Sequence, residues 1–252
     1  MNRAKTIELL TLTLLTAVAA AAIPLGTGYF AWSWDALNHH IYLGMIAEHP
    51  RWGLDVMPAS YQTFQFPYLY WPVYRLSLID GHGAWVGALW SGVLAALLLG
   101  PIWLVADRLL PASGLPLWQA VIERGVACLL AFLSVLTLTA VETTANDPLA
   151  ALPLLWAVAL TCKREVGLAR GFWAAALWGV SAAFKLSNAL ALPWLLVWWI
   201  GGAPLANRGR LAMALAAGGG IGFLLTYGPW GWQLWQQTGN PFYPFFSKWF
   251  GV

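Results

Sequence analysis

The sequence is poor in charged residues and in cysteine. Asp, Glu, Lys and Arg make up only 9% of its 252 residues, against about 25% in soluble domains. This shortage excludes an ordinary soluble domain, and the 60% of hydrophobic residues indicates an integral membrane protein. The net charge of +3 comes from too few basic residues for the clustered surface that nucleic-acid binding requires.

The signatures of soluble enzymes are also missing. Cys128 and Cys162 lie in apolar runs without a partner motif, and we interpret them as small core residues. The sequence contains no Walker loop, no dinucleotide-binding fingerprint and no GxSxG elbow. His49 and His82 are isolated, and we assign them no role. Because no internal repeat is visible either, residues 1–252 are predicted to form a single module.

Long apolar runs and 18 tryptophans are present instead. A membrane-spanning helix needs about 17 to 25 residues, and seven runs qualify as candidates, at 7–28, 84–106, 121–141, 148–162, 170–185, 187–201 and 211–229. They predict an all-α, polytopic transmembrane helical bundle of about seven spans. The first run is longer than the roughly 7 to 15 residues of a signal-peptide core, which favours an uncleaved anchor. The stretch AFKLSNALALP interrupts the fifth and sixth runs, so a single buried hairpin is an alternative there.

The positions of the basic residues predict the sidedness of these spans. Lysine and arginine accumulate in cytoplasmic loops, and a cytoplasmic N-terminus places nine of the 13 basic residues on that side. The nine are Arg3, Lys5, Arg108, Arg124, Lys163, Arg164, Arg170, Arg208 and Arg210. The acids predicted to lie on the outer side are Asp35, Glu48, Asp55, Asp80, Glu142 and Asp147.

Two predicted outer segments are rich in aromatic residues and proline. The first outer loop, 29–83, contains YQTFQFPYLYWPVYRLSLI, and the tail, 228–252, reads GPWGWQLWQQTGNPFYPFFSKWFGV. This composition predicts short amphipathic helices that lie along the membrane surface with their apolar sides in the lipid.

Asp35 begins the stretch DALNHHIY, just after the first span. Helical residues three and four apart share a face, and the predicted face consists of Asp35, Asn38, His39 and Tyr42, with His40 pointing elsewhere. Asp35 and His39 could then act as a general base and its partner, or as two ligands of a divalent cation. The alternative is that Asp35 only caps the N-terminus of this helix.

The stretch VETTANDPLAAL places Glu142, Asn146 and Asp147 at the outer edge of a span. An acid that ends an apolar run costs free energy unless it faces a polar cavity, so we predict a functional role for Glu142. Asp147 directly precedes Pro148, and a helix cap followed by proline would explain Asp147 structurally.

Lys185 and Asn240 are the remaining candidates. Lysines at a membrane edge often extend to the lipid headgroups, whereas a functional Lys185 would bind a lipid-linked phosphate, with Ser187 and Asn188 adding hydrogen bonds. Both interpretations of Lys185 stay open. Asn240 precedes Pro241 in TGNPFYPFF and marks a turn.

Five stretches of the chain, in this order, resemble the amino-terminal part of bacterial polytopic glycosyltransferases of the GT-C superfamily, similar to families 39 and 87. The stretches are WDALNHH, RWGLDVMPASYQTF, ETTANDPLAALPLLWAVAL, AFKLSNALALPWLL and TGNPFYPFF. The resemblance implies a seven-span module that transfers a sugar, with inversion, from a polyprenyl-phosphate donor. It also implies a periplasmic active site in the bacterial inner membrane, a cytoplasmic N-terminus and a periplasmic C-terminus.

The resemblance also implies roles for individual residues. Asp35 matches the catalytic acid of the first outer loop, as general base or as a ligand, with His39, of a divalent metal such as Mg or Mn. Glu142 and Asp147 match acids of the second outer loop. The residues expected to bind substrate are Lys185, which would hold the donor phosphate, together with His39, Asn146, Asn188 and Asn240.

Two features depart from the family pattern. Many relatives carry a second acid beside the first-loop aspartate, whereas this sequence has Ala36. Relatives also continue with several more spans, so we expect the chain to be either part of a longer protein or a shortened form.

Two functions of different classes therefore stay open. The first is a lipid-phosphate-sugar-dependent glycosyltransferase, which requires the outer ionisable residues to share one pocket. The second is a non-catalytic accessory subunit of a larger membrane protein complex, whose aromatic surfaces contact partner subunits. A transporter is a weaker third hypothesis, because neither paired repeats nor an intramembrane ionisable path is visible.

Overall fold

The computed structural model describes residues 3–29, 34–55, 58–79, 83–110, 114–141, 143–162 and 165–252. These residues are predominantly helical and include no β-strand. Several residues discussed above lie outside the described ranges, namely Asp80, His82, Glu142, Lys163 and Arg164.

The helices follow one another as separate, mostly apolar segments. In chain order they are α1 (Arg3–Thr27), α2 (Ile41–Ile46), α3 (Trp71–Ser77), α4 (Gly83–Leu109), α5 (Leu117–Phe132), α6 (Val135–Val141), α7 (Asp147–Thr161), α8 (Leu168–Phe184), α9 (Leu192–Gly201), α10 (Arg208–Thr238) and α11 (Ser247–Phe250). A π-helical segment, Ala36–His40, precedes α2, and 3₁₀ segments cover Ser60–Phe64, Leu186–Ala191 and Leu205–Asn207.

Within the described ranges, three helical segments are long and apolar enough to cross a membrane. They are α1, α4 and Leu205–Thr238, which contains α10. The 25 residues of α1 extend about 37 Å at 1.5 Å per residue, more than the roughly 30 Å of bilayer hydrocarbon. These helices suggest a membrane-associated protein. Because α7 and Leu186–Gly201 are apolar but shorter, a count of seven spans stays a prediction.

Two predicted spans have other boundaries in the structure. The candidate at 121–141 is divided at 133–134 into α5 and α6. The candidate at 211–229 continues to Thr238, because Pro229 does not end α10; the helix ends before Gly239, whose φ of 73° suits glycine. The expected break after α8 is present, since Lys185 is extended and a 3₁₀ segment follows it.

Glycines bring α8 and α10 into close contact. A Cβ added at Gly218 or Gly222 of α10 would collide with the backbone of Phe172 or Ala176 of α8. Small residues at such an interface let two helix backbones approach closely, as is common in membrane proteins. Helix α8 also contacts α7, and α4 contacts α1, α5 and α7.

Contacts near the helix termini define two ends of the bundle. At one end, Lys5 of α1 donates a hydrogen bond to Asp107 of α4 at 2.8 Å. At the other, Lys185 pairs with Asp147 at the start of α7, and Trp230 of α10 donates to the carbonyl of Phe64. We call this second end, which carries the first outer loop, the outer end. Which compartment it faces stays a prediction.

The first outer loop is folded onto the outer end. Leu43 and Tyr70 are buried in a cluster that includes Trp230 of α10, and Val73 packs with Trp90 of α4. Other apolar side chains of the loop are exposed, including Trp34, Leu37 and Leu54. Only part of the apolar surface of this loop is therefore available to lipid, because the rest packs against the helices.

Candidate functional site

Several of the predicted site residues meet at the outer end. We call this group the outer cluster; its members are Asp35, His39, His40, Tyr70, Asn146, Asp147 and Lys185. They come from the first outer loop, the start of α7 and the end of α8. The expectation that Asp35 and Lys185 lie at the same end of the bundle is met, because both act electrostatically on His39.

The π-helical segment Ala36–His40 directs both histidines inward. His39 is 4% exposed and His40 is 6% exposed, and their ring centroids lie 4.3 Å apart. The prediction that His40 points elsewhere is therefore wrong. It assumed an α-helix, whereas i to i+5 hydrogen bonding widens the turn and reduces the angle between consecutive side chains. Such π segments are frequent at functional sites.

His39 carries a buried nitrogen without a hydrogen-bond partner. This atom, Nδ1, is inaccessible to solvent, and it lies 3.8 Å from Oδ1 of Asp35, beyond hydrogen-bonding distance. Burial lowers the pKa of His39; Asp35 opposes this change and Lys185 adds to it. The imidazole is therefore neutral at neutral pH. A buried polar atom without a partner costs about 1 to 3 kcal/mol, which a ligand would recover.

His40, in contrast, is held by its neighbours. Its Nδ1 lies 2.6 Å from Oγ1 of Thr144, and its ring stacks on Tyr70 with centroids 4.7 Å apart. Burial lowers the pKa of His40 to about 3, with a further decrease from His39. Burial also raises the pKa of Tyr70. His40 and Tyr70 therefore form an uncharged wall of the outer cluster.

Lys185 brings a positive charge to the cluster. Its Nζ lies 2.5 Å from Oδ1 of Asp147, and the two side chains are 37% and 61% exposed. The charge of Lys185 also lowers the pKa values of His39 and His40. Exposed ion pairs contribute only about 0 to 1 kcal/mol. An anionic ligand can therefore replace Asp147 as the partner of Lys185 at little cost.

Helix capping does not explain the two aspartates. Asp35 stands at the N-cap position of the π-helical segment but forms no side-chain cap hydrogen bond. In α7 the N-cap position belongs to Asn146, also without a side-chain cap bond, and Asp147 is the first helical residue. The capping alternatives for Asp35 and Asp147 are therefore wrong.

A cavity of about 190 Å³ has Lys185 in its wall. Its aromatic walls are formed by Phe64, Phe66, Phe184, Tyr227, Tyr243 and Phe245, and Asn146 and Ser187 add polar groups. We call it the Lys185 cavity. Because small-molecule sites usually measure about 300 to 1,000 Å³, it can hold only part of a lipid-linked donor.

Asn188 and Asn240 use their amides within the protein. Nδ2 of Asn188 donates to Oγ of Ser181 at 2.9 Å and to the carbonyl of Ala150 at 3.2 Å, which links α8 to α7. Asn240 is fully buried and donates to the carbonyl of Phe245 at 2.7 Å. Asn240 thus positions one wall of the Lys185 cavity, and direct substrate binding by either amide stays a prediction.

The face predicted for the stretch after Asp35 is divided. Asn38 turns to the loop and donates to Oε1 of Gln62 at 2.9 Å. Tyr42 donates to Oδ2 of Asp55 at 3.1 Å. Of the four residues predicted on that face, the structure brings only Asp35 and His39 together.

No sequence pattern indicated three other contacts. Tyr70 and Thr144 hold His40. In the sequence, Tyr70 is one aromatic residue among many, and Thr144 belongs to a short polar stretch with no recognisable motif. At the opposite end, Arg124 binds Glu8 through hydrogen bonds of 2.7 and 2.5 Å. That ion pair joins α5 to α1, and Asp107 of α4 lies 3.5 Å from the same guanidinium; only the folded chain reveals this arrangement.

The predicted metal has two candidate ligands in the described part of the chain. No group of three His, Cys, Asp or Glu residues that could hold a metal occurs there, and Glu142 lies outside it. The distance of 3.8 Å between His39 Nδ1 and Asp35 Oδ1 would let both bind one cation at about 2.0 to 2.2 Å, the distances that imidazole and carboxylate ligands take to zinc. The unpartnered Nδ1 fits this role, and the metal stays a prediction.

No family model, curated protein or solved structure matches the chain.

Proposed function

We propose that the protein is a membrane glycosyltransferase that moves a sugar from a polyprenyl-phosphate donor to an acceptor hydroxyl. The observation that carries the proposal is that Lys185, distant in sequence from Asp35 and His39, meets them in one cluster beside an aromatic cavity. In this proposal the outer end lies in the periplasm of a bacterial inner membrane, the N-terminus is cytoplasmic and seven spans thread the bilayer.

The Lys185 cavity suits a donor that combines an apolar chain with an anionic phosphate. Such a ligand needs apolar walls beside a cation, and the cavity offers aromatic side chains beside Lys185. The phosphate replaces Asp147 as the partner of Lys185, since a charged hydrogen bond to phosphate is strong. Lys185 then stabilises the negative charge that develops on the departing phosphate.

Asp35 is the proton acceptor in this proposal. Its side chain is 57% exposed, so an acceptor hydroxyl can reach the carboxylate. The acceptor oxygen attacks the anomeric carbon, the bond from that carbon to the phosphate oxygen breaks, and its electron pair leaves with polyprenyl phosphate. The hydroxyl proton passes to Asp35. Attack from the side opposite to the phosphate inverts the anomeric configuration.

The alternative role of Asp35 is to bind a divalent cation. Asp35 and His39 would hold it, and it would supply positive charge at the donor phosphate. Because one carboxylate would serve either as base or as ligand, these two roles of Asp35 stay alternatives within the proposal.

The test replaces Asp35 by asparagine, which has the same size and cannot take up the proton. Transfer from a labelled polyprenyl-phosphate sugar should fall by about 10² to 10⁴-fold. Glu165→Gln is the matched control, because this exposed acid lies between α7 and α8, away from the outer cluster, and its transfer rate should stay unchanged. Wild-type transfer by the folded Asp35→Asn variant would reject the role of Asp35.

An accessory membrane subunit is the second candidate. The observation that favours it is the ion pair of Lys185 with Asp147, which satisfies both charges without a ligand. The double variant Lys185→Asp, Asp147→Lys keeps an ion pair but moves the cation. A transferase should lose donor binding in this variant, whereas a purely structural pair predicts unchanged amounts of folded protein and of any bound partner subunits.

A further inference from the structure

A second groove, of about 410 Å³, lies at the outer end next to the Lys185 cavity. Its volume falls within the range of about 300 to 1,000 Å³ of small-molecule sites. The first outer loop contributes Arg51, Trp52 and Asp55, and α10 contributes Gln237. Phe64 lines both the groove and the Lys185 cavity, so the two spaces adjoin at this residue.

The charges in this groove neutralise each other. Arg51 donates to Asp55 from Nε at 2.5 Å and from a terminal nitrogen at 3.1 Å, and Tyr42 donates to the same carboxylate at 3.1 Å. Two of the five guanidinium N–H groups are used in this pair. Arg51 therefore keeps free donors but offers no net charge to a ligand, because Asp55 already compensates it.

The groove also presents a fixed aromatic surface. Trp52 stacks on Trp230 with ring centroids 5.5 Å apart. Trp230 is 1% exposed and donates to the carbonyl of Phe64 at 3.2 Å, so it cannot turn away. Trp52, which is partly exposed, is thereby held in one orientation in the groove wall.

We infer that this groove binds a neutral sugar ring, with the apolar C–H face on Trp52 and the hydroxyl groups on Gln237 and the free donors of Arg51. A sugar ring combines an apolar face with several hydroxyls, and the groove combines a fixed indole with uncharged hydrogen-bonding capacity. An anionic ligand is disfavoured because Asp55 accepts two hydrogen bonds from Arg51 and one from Tyr42, whereas Asp147 holds Lys185 through a single contact. That this sugar is the acceptor of the transfer rests on the proposed function; its binding does not.

The experiment titrates the purified protein in lipid nanodiscs with maltose and observes binding by saturation-transfer NMR. Gln237→Ala should weaken maltose binding about threefold to tenfold, the effect of one hydrogen bond. Gln236→Ala is the matched control, since this exposed neighbour does not line the groove. Trp52→Ala should weaken binding at least about tenfold, as for a central aromatic contact, with thermal unfolding measured to verify that it folds.

Two further arms define the ligand. Glucose 6-phosphate should bind more weakly than maltose, and nanodiscs that contain diglucosyl diacylglycerol show whether the ring comes from a glycolipid or a free glycan. Binding of either neutral probe that depends on Gln237 supports the inference. The inference is overturned if neither neutral probe binds, if both variants bind like wild type, or if the phosphorylated sugar binds more tightly.

The two proposals fail in distinguishable ways. The maltose titration contains no donor, so it measures binding in the groove independently of sugar transfer. If maltose binds but the wild type transfers no sugar, the proposed function is refuted and the inference that the groove binds a sugar is kept. If transfer occurs but neither neutral probe binds, only the inference about the groove fails. If both occur and Gln237→Ala leaves the KM of the acceptor unchanged, the sugar in the groove is not the acceptor.

Discussion

The buried state of His40 makes the stability of the protein depend on pH. Burial lowers the pKa of His40 from an ordinary 6.5 to about 3. Below pH 6.5 the unfolded chain therefore binds a proton that the folded protein does not accept until about pH 3. Since the unfolded state binds more protons in this window, stability falls as the pH decreases through it.

The size of this effect follows from the two pKa values. Each pH unit between them changes the free energy of unfolding by about 1.4 kcal/mol, so the step from pH 8 to pH 5 should cost about 2 kcal/mol. For a chain of this length, about 2 kcal/mol corresponds to a decrease of about 4 to 8 °C in Tm. His39 acts in the same direction, because burial lowers its pKa too.

The assay compares Tm at pH 8 and pH 5 in nanodiscs for the wild type and for His40→Asn. Asparagine keeps a polar atom for Thr144 but does not titrate. The difference in Tm between pH 8 and pH 5 should therefore be about 4 to 8 °C smaller in His40→Asn than in the wild type. His49→Asn is the control, because the side chain of His49 is 71% exposed and its replacement should leave the difference unchanged. An equal pH dependence in wild type and His40→Asn would refute the burial of a neutral His40.

Two further predictions concern the bundle itself. Gly222→Ala should lower the free energy of unfolding by about 1 to 3 kcal/mol, because its Cβ would meet the backbone of Ala176. Gly220→Ala, which meets nothing within 4 Å, should be neutral or stabilising, and equal Tm values for the two variants would contradict the close packing of α8 and α10. Glu8→Ala should cost up to about 3 to 5 kcal/mol, because the buried Arg124 then keeps only Asp107, at 3.5 Å, as an acidic partner, and adding Arg124→Met should restore much of the loss. Additive effects in a denaturation series of the single and double variants would contradict the ion pair.

Features set by short stretches of sequence were predictable. The long apolar helices α1 and α4 follow from the length of their runs, and the break at Lys185 follows from polar residues inside an apolar stretch. That Asp35 and Lys185 lie at the same end of the bundle was predictable as well, because the distribution of basic residues indicates how helix directions alternate.

Features that depend on contacts between distant residues were not predictable. The inward position of His40 arises from a π-helical segment and from Thr144, which lies in another part of the chain. The amide of Asn188 donates hydrogen bonds to Ser181 and Ala150. No local sequence pattern distinguishes it from an amide that faces a ligand. The division of the candidate span at 121–141 was missed because an apolar run does not reveal where its helix is interrupted.

The net charge of the outer cluster favours binding of the predicted divalent cation. Among the described members of the cluster, Asp35 and Asp147 contribute two negative charges and Lys185 one positive charge, and burial keeps His39 neutral. The formal sum is −2 + 1 = −1, and a donor phosphodiester with one negative charge would bring it to −2. Like charges about 4 Å apart repel by about 4 kcal/mol near a protein surface, so Lys185 alone compensates only part of the cost of donor binding. A divalent cation at Asp35 and His39 would bring the sum to zero. If the protein is a transferase, donor binding would therefore be helped most by a cation held between the unpartnered nitrogen of His39 and the exposed carboxylate of Asp35.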